Sequence, residues 1–159
     1  MQIYNDFSTS VNKALGEIEP NYLKLPGLVI CGTHNPHDVE FLIDKIKEAR
    51  EKRKPFLGIC FGHQIAAVEY ARTVLGIKDA TSEEFGQGTF VVKKRDKLKV
   101  GLNGGQSYWN NYEVVIDWEK PDWFITTQFH PEYQSMPGKF HPLLVKFIDL
   151  CKQYDRSHR

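Results

Sequence analysis

Three side chains have the types and the spacing for nucleophilic catalysis by a thiol. Cys60 lies in the stretch Pro55-Phe-Leu-Gly-Ile-Cys-Phe-Gly-His-Gln64. Phe56, Leu57 and Ile59 predict a short buried strand, and the residues after Gly62 predict a helix. Cys60 therefore falls at a strand-to-helix turn, where Gly58 and Gly62 leave room for a sharp bend. Backbone N–H groups and the helix dipole at such a turn favour negative charge, so a lowered thiol pKa is expected. Read alone, Cys60 fits a buried apolar cysteine at a strand end better than a nucleophile, and only the glycine frame together with a base elsewhere reverses that. A thiol nucleophile also needs a base, and the base needs a third group to fix its tautomer. His130 and Glu132, in Gln128-Phe-His-Pro-Glu132, can fill those roles. They follow a predicted strand over Trp123 to Phe129, with Pro131 stiffening the bend between them. In open parallel sheets, ligand sites lie at that carboxyl edge.

The elements that must position these groups follow a strand–helix alternation. Phe7, Val11, Ala14, Leu15 and Ile18 repeat at helical spacing, with Asp6, Ser8 or Thr9 as candidate caps and Pro20 as the stop. Leu28 to Cys31 is an uninterrupted apolar run, as expected of a buried parallel strand. Val39, Leu42, Ile43, Ile46 and Ala49 line one face of a helix over Asp38 to Arg50. The helix after Cys60 runs to about Leu75 and ends at Gly76. This pattern predicts an α/β domain with an open, mainly parallel sheet of about five or six strands and helices on both faces. Further strands are expected at Thr89 to Lys94, Leu98 to Leu102 and Tyr112 to Trp118, with a chain break at residues 103–105. A last helix covers Pro142 to Tyr154, and Cys151 is a core residue of it.

The bulk numbers exclude little and add no second chemistry. The 159 residues suit one domain over 1–159, with 21 basic and 20 acidic residues and a net charge of +1. Nothing in that balance asks for a nucleic acid, and the run Lys93, Lys94, Arg95, Lys97 and Lys99 is interrupted by Asp96. No apolar run approaches a membrane span, and Met1 to Asp6 is not a targeting segment. Three cysteines, an odd number, argue for a reducing, cytoplasmic setting. Cys31 reads as a buried strand residue. His34, His37 and Asp38 lack a convincing further ligand, so neither metal nor cofactor is expected.

The Gly-Ile-Cys-Phe-Gly frame resembles the nucleophile elbow of the class I glutamine amidotransferases, and in particular of CTP synthase glutaminase domains. Several other runs carry the resemblance: Gln128 to Lys139, Glu69 to Gly76, Ala80 to Phe85 and Pro121 to Phe124. So does the Tyr4 to Leu15 pattern. It covers most of the chain, Tyr4 to Ile148, with deletions, and implies a flavodoxin-like three-layer sandwich in a shortened, stand-alone form. It implies Cys60 as nucleophile, His130 as base and Glu132 as its orienting acid. Backbone N–H groups of Phe61 and Thr33 would form the oxyanion hole. Gly32, Gln64, Glu84, Asn111 and Tyr112 fall at substrate-contacting positions, with Glu84 suited to an α-ammonium.

Two departures from the family bear on the substrate. The family's Pro-Gly-Gly-Phe loop reads Cys31-Gly32-Thr33-His34 here, so Thr33 replaces a glycine that donates an oxyanion N–H. Asn111 replaces the arginine that meets the substrate α-carboxylate, without its charge or its fork of donors. The expected reaction is cysteine-dependent hydrolysis of a glutamine-like carboxamide or γ-glutamyl amide through a thioester, the substrate not necessarily free L-glutamine. The alternative is a weak or inactive relative that binds a small ligand, or that regulates or supplies ammonia to a separate synthetase. The partners in view are a small amide, such a synthetase subunit, or a second copy of the chain, with no nucleic acid or membrane.

Overall fold

The computed structural model describes residues 1–95 and 112–159. The expected strand at Leu98 to Leu102, the break at 103–105 and the contact position Asn111 lie outside the described residues. In chain order the elements are β1 (Gln2–Tyr4), α1 (Ser8–Ile18), β2 (Leu28–Ile30), α2 (Val39–Glu51), β3 (Phe56–Ile59) and α3 (Phe61–Thr73). They continue as β4 (Ala80–Ser82), β5 (Thr89–Lys94), β6 (Tyr112–Val114), β7 (Phe124–Thr127) and α4 (Pro142–Ser157).

The central sheet is parallel, in the order β1-β2-β3-β7. Its register sets Ile3, Val29, Leu57 and Ile125 side by side. Because strand side chains alternate, this one register builds two cores. Leu28, Ile30, Phe56 and Phe124 pack on α2 and α3 through Leu42, Ile46, Ile65 and Val68. Val29, Leu57, Ile59 and Ile125 pack on α1 and α4 through Val11, Leu15, Phe147 and Ile148. Cys31 and Cys151 are fully buried in that second core, as expected of core cysteines. Arg50 of α2 grips the buried Glu69 of α3 with two nitrogens, its Nη2 at 2.8 Å, which clamps the two helices of the first face.

The sheet is narrower than the expected five or six strands. Among the described residues it has four strands, and a separate sheet takes three more in the order β4-β5-β6. In that sheet β4 is parallel and β6 antiparallel to β5. β6 ends at Val114 rather than Trp118, because the chain turns away and Trp118 packs against His63 and Tyr70. β7 stops at Thr127 rather than Phe129, where the Thr127 hydroxyl donates to Phe129 O at 2.8 Å and bends the chain. At the end of α3, Gly76 has φ +73°, and Ile77 N–H donates back to Ala71 O. None of the expected caps serves α1. Phe7 occupies the cap position with no side-chain bond, and Asp6 is turned toward the loop after β2.

Candidate active site

Cys60 stands between β3 and α3 with φ 55° and ψ −102°, a backbone shape that L-residues rarely adopt. Three close approaches hold it there. A Cβ on Gly62 would lie 2.2 Å from Ile30 O, so the first turn of α3 presses directly on β2. A Cβ on Gly58 would meet the Gly62 carbonyl group at 2.9 Å. Cys60 N–H donates to Thr127 O at 2.7 Å, tying the turn to the end of β7. The small residues read from the sequence are thus required by backbone contacts.

The environment of the thiol differs from the expectation. Burial pushes the Cys60 thiol up to about 12, and the Glu84 and Glu132 carboxylates push the same way. The Phe61 N–H and the Gln128 amide, its Nε2 3.4 Å from Sγ, oppose them without prevailing. Cys60 is only 4% exposed, so loss of solvation outweighs the helix terminus. The resting thiol is protonated at neutral pH and needs a base to become a nucleophile.

His130 and Glu132 lie just past β7, the strand next to β3. Both are buried, and His130 Nδ1 is 2.6 Å from Glu132 Oε1. With Glu132 as carboxylate, Nδ1–H is the donor, which leaves Nε2 as the basic nitrogen. Tyr133 stacks on the His130 ring at 5.1 Å between centroids, and Phe7 meets it edge-on at 5.3 Å. A Cβ on Gly32 would lie 2.8 Å from His130 Cε1, so the loop after β2 abuts the imidazole. The structure thereby gathers Cys60, His130, Glu132 and Gly32 at the carboxyl ends of β2, β3 and β7. The thiol itself meets the Phe61 N–H and the Gln128 amide.

The other positions that the resemblance assigns to substrate contacts lie toward the second sheet. Gln64 is fully buried, and its Oε1 accepts from Ser82 Oγ at 2.8 Å. Ser82 Oγ in turn accepts from Glu84 N–H at 3.2 Å. Burial pushes the Glu84 carboxyl up, and the Gln64 amide opposes that, facing Glu84 without reaching hydrogen-bonding geometry. Tyr112 is raised by its own burial first and then by Glu84, with smaller effects from Glu83 and Cys60. Gln64, Glu84 and Tyr112 therefore lie near one another and near Cys60. Thr33 is buried in the loop after β2, where its hydroxyl donates to Asp6 Oδ2 at 2.6 Å.

Sequence reasoning missed Gln128, Ser82 and Asp6. Gln128 sits two residues before His130 in a quoted motif, and its position just past a strand end was a usable signal. Ser82 and Asp6 lie within motif runs, but their bonds to Gln64 and Thr33 join residues distant in the chain and no local signal marked them. Among the described residues no group of three or more His, Cys, Asp or Glu is arranged to hold a metal, and His37 pairs with Asp38 at 3.0 Å. No helix among the described residues is long and apolar enough to cross a membrane.

Known proteins resemble this chain in sequence and in fold. The family model for glutamine amidotransferase class-I matches residues 9–115. CTP synthase from Methanoculleus marisnigri is 32% identical, covering 82% of this chain and 35% of the relative. CTP synthase from Bdellovibrio bacteriovorus is 33% identical, covering 79% and 34%. The chain thus spans about a third of the length of the curated relatives it matches. Among solved structures, the glutaminase domain of Trypanosoma brucei CTPS with bound acivicin superimposes with a TM-score of 0.71 at 16% identity. That match covers 96% of this chain and 94% of the other, and it shows a shared fold.

Proposed function

The chain belongs to the class I glutamine amidotransferase family, related to the glutaminase domain of CTP synthase, and we propose that residues 1–159 form one cysteine-dependent amidohydrolase domain. Its substrate is a glutamine-like carboxamide or a γ-glutamyl amide. One observation carries the reading: a cysteine forced to positive φ at a strand-to-helix turn, with a buried histidine–glutamate pair just past the end of the neighbouring strand.

The chemistry follows from the protonated thiol. With substrate bound, His130 Nε2 takes the thiol proton as Sγ attacks the amide carbon. Glu132 holds the imidazole by Nδ1 and stabilises the imidazolium. The carbonyl oxygen gains charge and is met by the Phe61 and Thr33 N–H groups. The C–N bond then breaks, the amine leaves with the proton from His130, and a thioester remains on Cys60. Water clears the thioester with His130 as base. Glu84 pairs with the substrate α-ammonium, with Gln64 and Tyr112 beside it.

A second reading follows from the relatives, which are CTP synthases: the ammonia formed here would pass to a synthetase. One experiment tests both. The protein is incubated with a panel of amides, with and without candidate synthetases, and ammonia release is measured. Intact mass is followed in parallel with acivicin, the compound bound in the Trypanosoma domain. Ammonia release and an adduct on Cys60 support the hydrolase. No ammonia from any amide and no adduct would overturn it.

A further inference from the structure

We propose that Asp6 is a positioning residue that sets the loop after β2, so that the Thr33 N–H serves the oxyanion. This rests on the hydrolase reading above. The loop is tied residue by residue to the turn between β1 and α1. Asn5 Nδ2 donates to Cys31 O at 3.3 Å, and Phe7 N–H donates to Gly32 O at 3.4 Å. The Thr33 hydroxyl donates to Asp6 Oδ2 at 2.6 Å, and His34 N–H donates to the same oxygen at 3.3 Å. Asp6 thus grips two successive loop residues with one carboxylate oxygen. An acid just before a helix ordinarily caps that helix, yet Asp6 makes no cap bond to α1.

The pattern of used donors points to the purpose. Cys31 N–H donates to Tyr4 O, His34 N–H to Asp6 and Asn35 N–H to the Thr33 hydroxyl. The Thr33 N–H has no acceptor among the described residues. Thr33 also carries a side chain where a glycine would bend freely, so its backbone needs an external hold. The hydroxyl–carboxylate contact provides one, because it fixes the residue at its Cβ while leaving its N–H available. Gly32, immediately before it, abuts His130, so a loop held this way is in register with the base.

The test compares Asp6→Ala, Thr33→Val, Thr33→Ser and the Asp6→Ala/Thr33→Val double variant. Melting temperature serves as a folding check. Hydrogen exchange at the His34 amide is read by NMR, and kcat and KM are read on the best amide. Affinity for a reversible aldehyde analogue of that amide is also measured, because the hemithioacetal oxygen occupies the oxyanion position without turnover. Both D6A and T33V should speed His34 exchange, lower kcat by about 10²-fold, and leave KM within about twofold. T33S should recover most of what T33V loses, and the double variant should be no worse than either single one. A wild-type protein that works while folded D6A and T33V match it in kcat and aldehyde affinity would overturn the Asp6 role alone. A wild-type protein that neither hydrolyses an amide nor binds an aldehyde would overturn the hydrolase reading, and the Asp6 role with it.

Discussion

Two neighbouring strands of the same sheet end in opposite ways. After β3 the chain turns on backbone contact: Gly62 lies against Ile30 O, Gly58 against Gly62, and Cys60 takes a positive φ. After β2 the chain turns on side chains, with Asn5 and Asp6 reaching across to Cys31, Thr33 and His34. The first device is part of the packed core, so it cannot be loosened without loosening the fold. The second is held by a few hydrogen bonds from Asn5 and the exposed Asp6, and its loss should leave the core standing. An improbable backbone is therefore held by packing, and a loop that needs only aiming is held by polar contacts.

The largest effect belongs to the residue that the first device presents. Cys60→Ala should lower hydrolysis by about 10⁴-fold or more, since residues acting as a catalytic unit fail together. Its melting temperature should stay at or above that of the wild type. Retained ammonia release in C60A would remove the elbow from the chemistry altogether.

Next comes the elbow's support. Gly62→Ala puts a methyl 2.2 Å from a backbone oxygen that has nowhere to move within the sheet. It should cost about 3 kcal/mol of stability or more, read by urea unfolding. Asp6→Ala, by contrast, should cost rate and little stability. The contrast between the two turns breaks if G62A is as stable as wild type, or if D6A unfolds the protein.

The third effect concerns substrate choice. A charge-assisted hydrogen bond is worth roughly 1.5–3 kcal/mol. If Asn111 stands where the family carries an arginine, as the resemblance implies, kcat/KM for free L-glutamine should fall about tenfold to hundredfold below that of a fully equipped site. An α-carboxyl-blocked analogue should escape that penalty, and N111R should restore preference for the free acid. The measurement is the ratio of the two kcat/KM values in both proteins. Strong wild-type preference for free glutamine, unimproved by N111R, would contradict the carboxylate argument.

The two turns also differ in how far they were legible. Gly58, Cys60 and Gly62 announce a tight turn within five residues, because the cause is local backbone crowding. The buried strands β2 and β3 were equally plain as unbroken apolar runs, and α2 as an amphipathic face. The Asp6–Thr33 tether joins residues far apart in the chain, and a local reading sends Asp6 to the helix cap instead. β4 escaped notice because Ala80, Thr81 and Ser82 are buried without being an apolar run. The thiol pKa was misjudged for a related reason. Helix-terminus N–H groups can be inferred from sequence, but the depth of burial and the approach of Glu84 and Glu132 cannot. What was visible were effects carried by neighbours in sequence; what was hidden were effects carried by neighbours in space.

The smallest effect separates the three cysteines. Burial raises all of them: Cys60 and Cys151 to about 12, and Cys31 further still. Alkylation by iodoacetamide needs the thiolate and a path to it. Cys60 is 4% exposed while Cys31 and Cys151 are fully buried, so those two react only when the structure opens locally. In the folded protein Cys60 should label several-fold faster than either. Since neutral pH lies far below its pKa, the Cys60 rate should rise about tenfold per pH unit between 7 and 9. Stability gives the matching sign. A folded pKa raised above the ordinary thiol value contributes fully below about pH 9 and is lost as pH climbs toward about 12. Alkaline urea titrations of the wild type should therefore show declining stability, and C60A should remove part of the decline. A labelling rate that is flat across pH 7 to 9 would mean a standing thiolate at Cys60. The elbow's N–H groups would then have overcome burial, and the protonated resting thiol would be wrong.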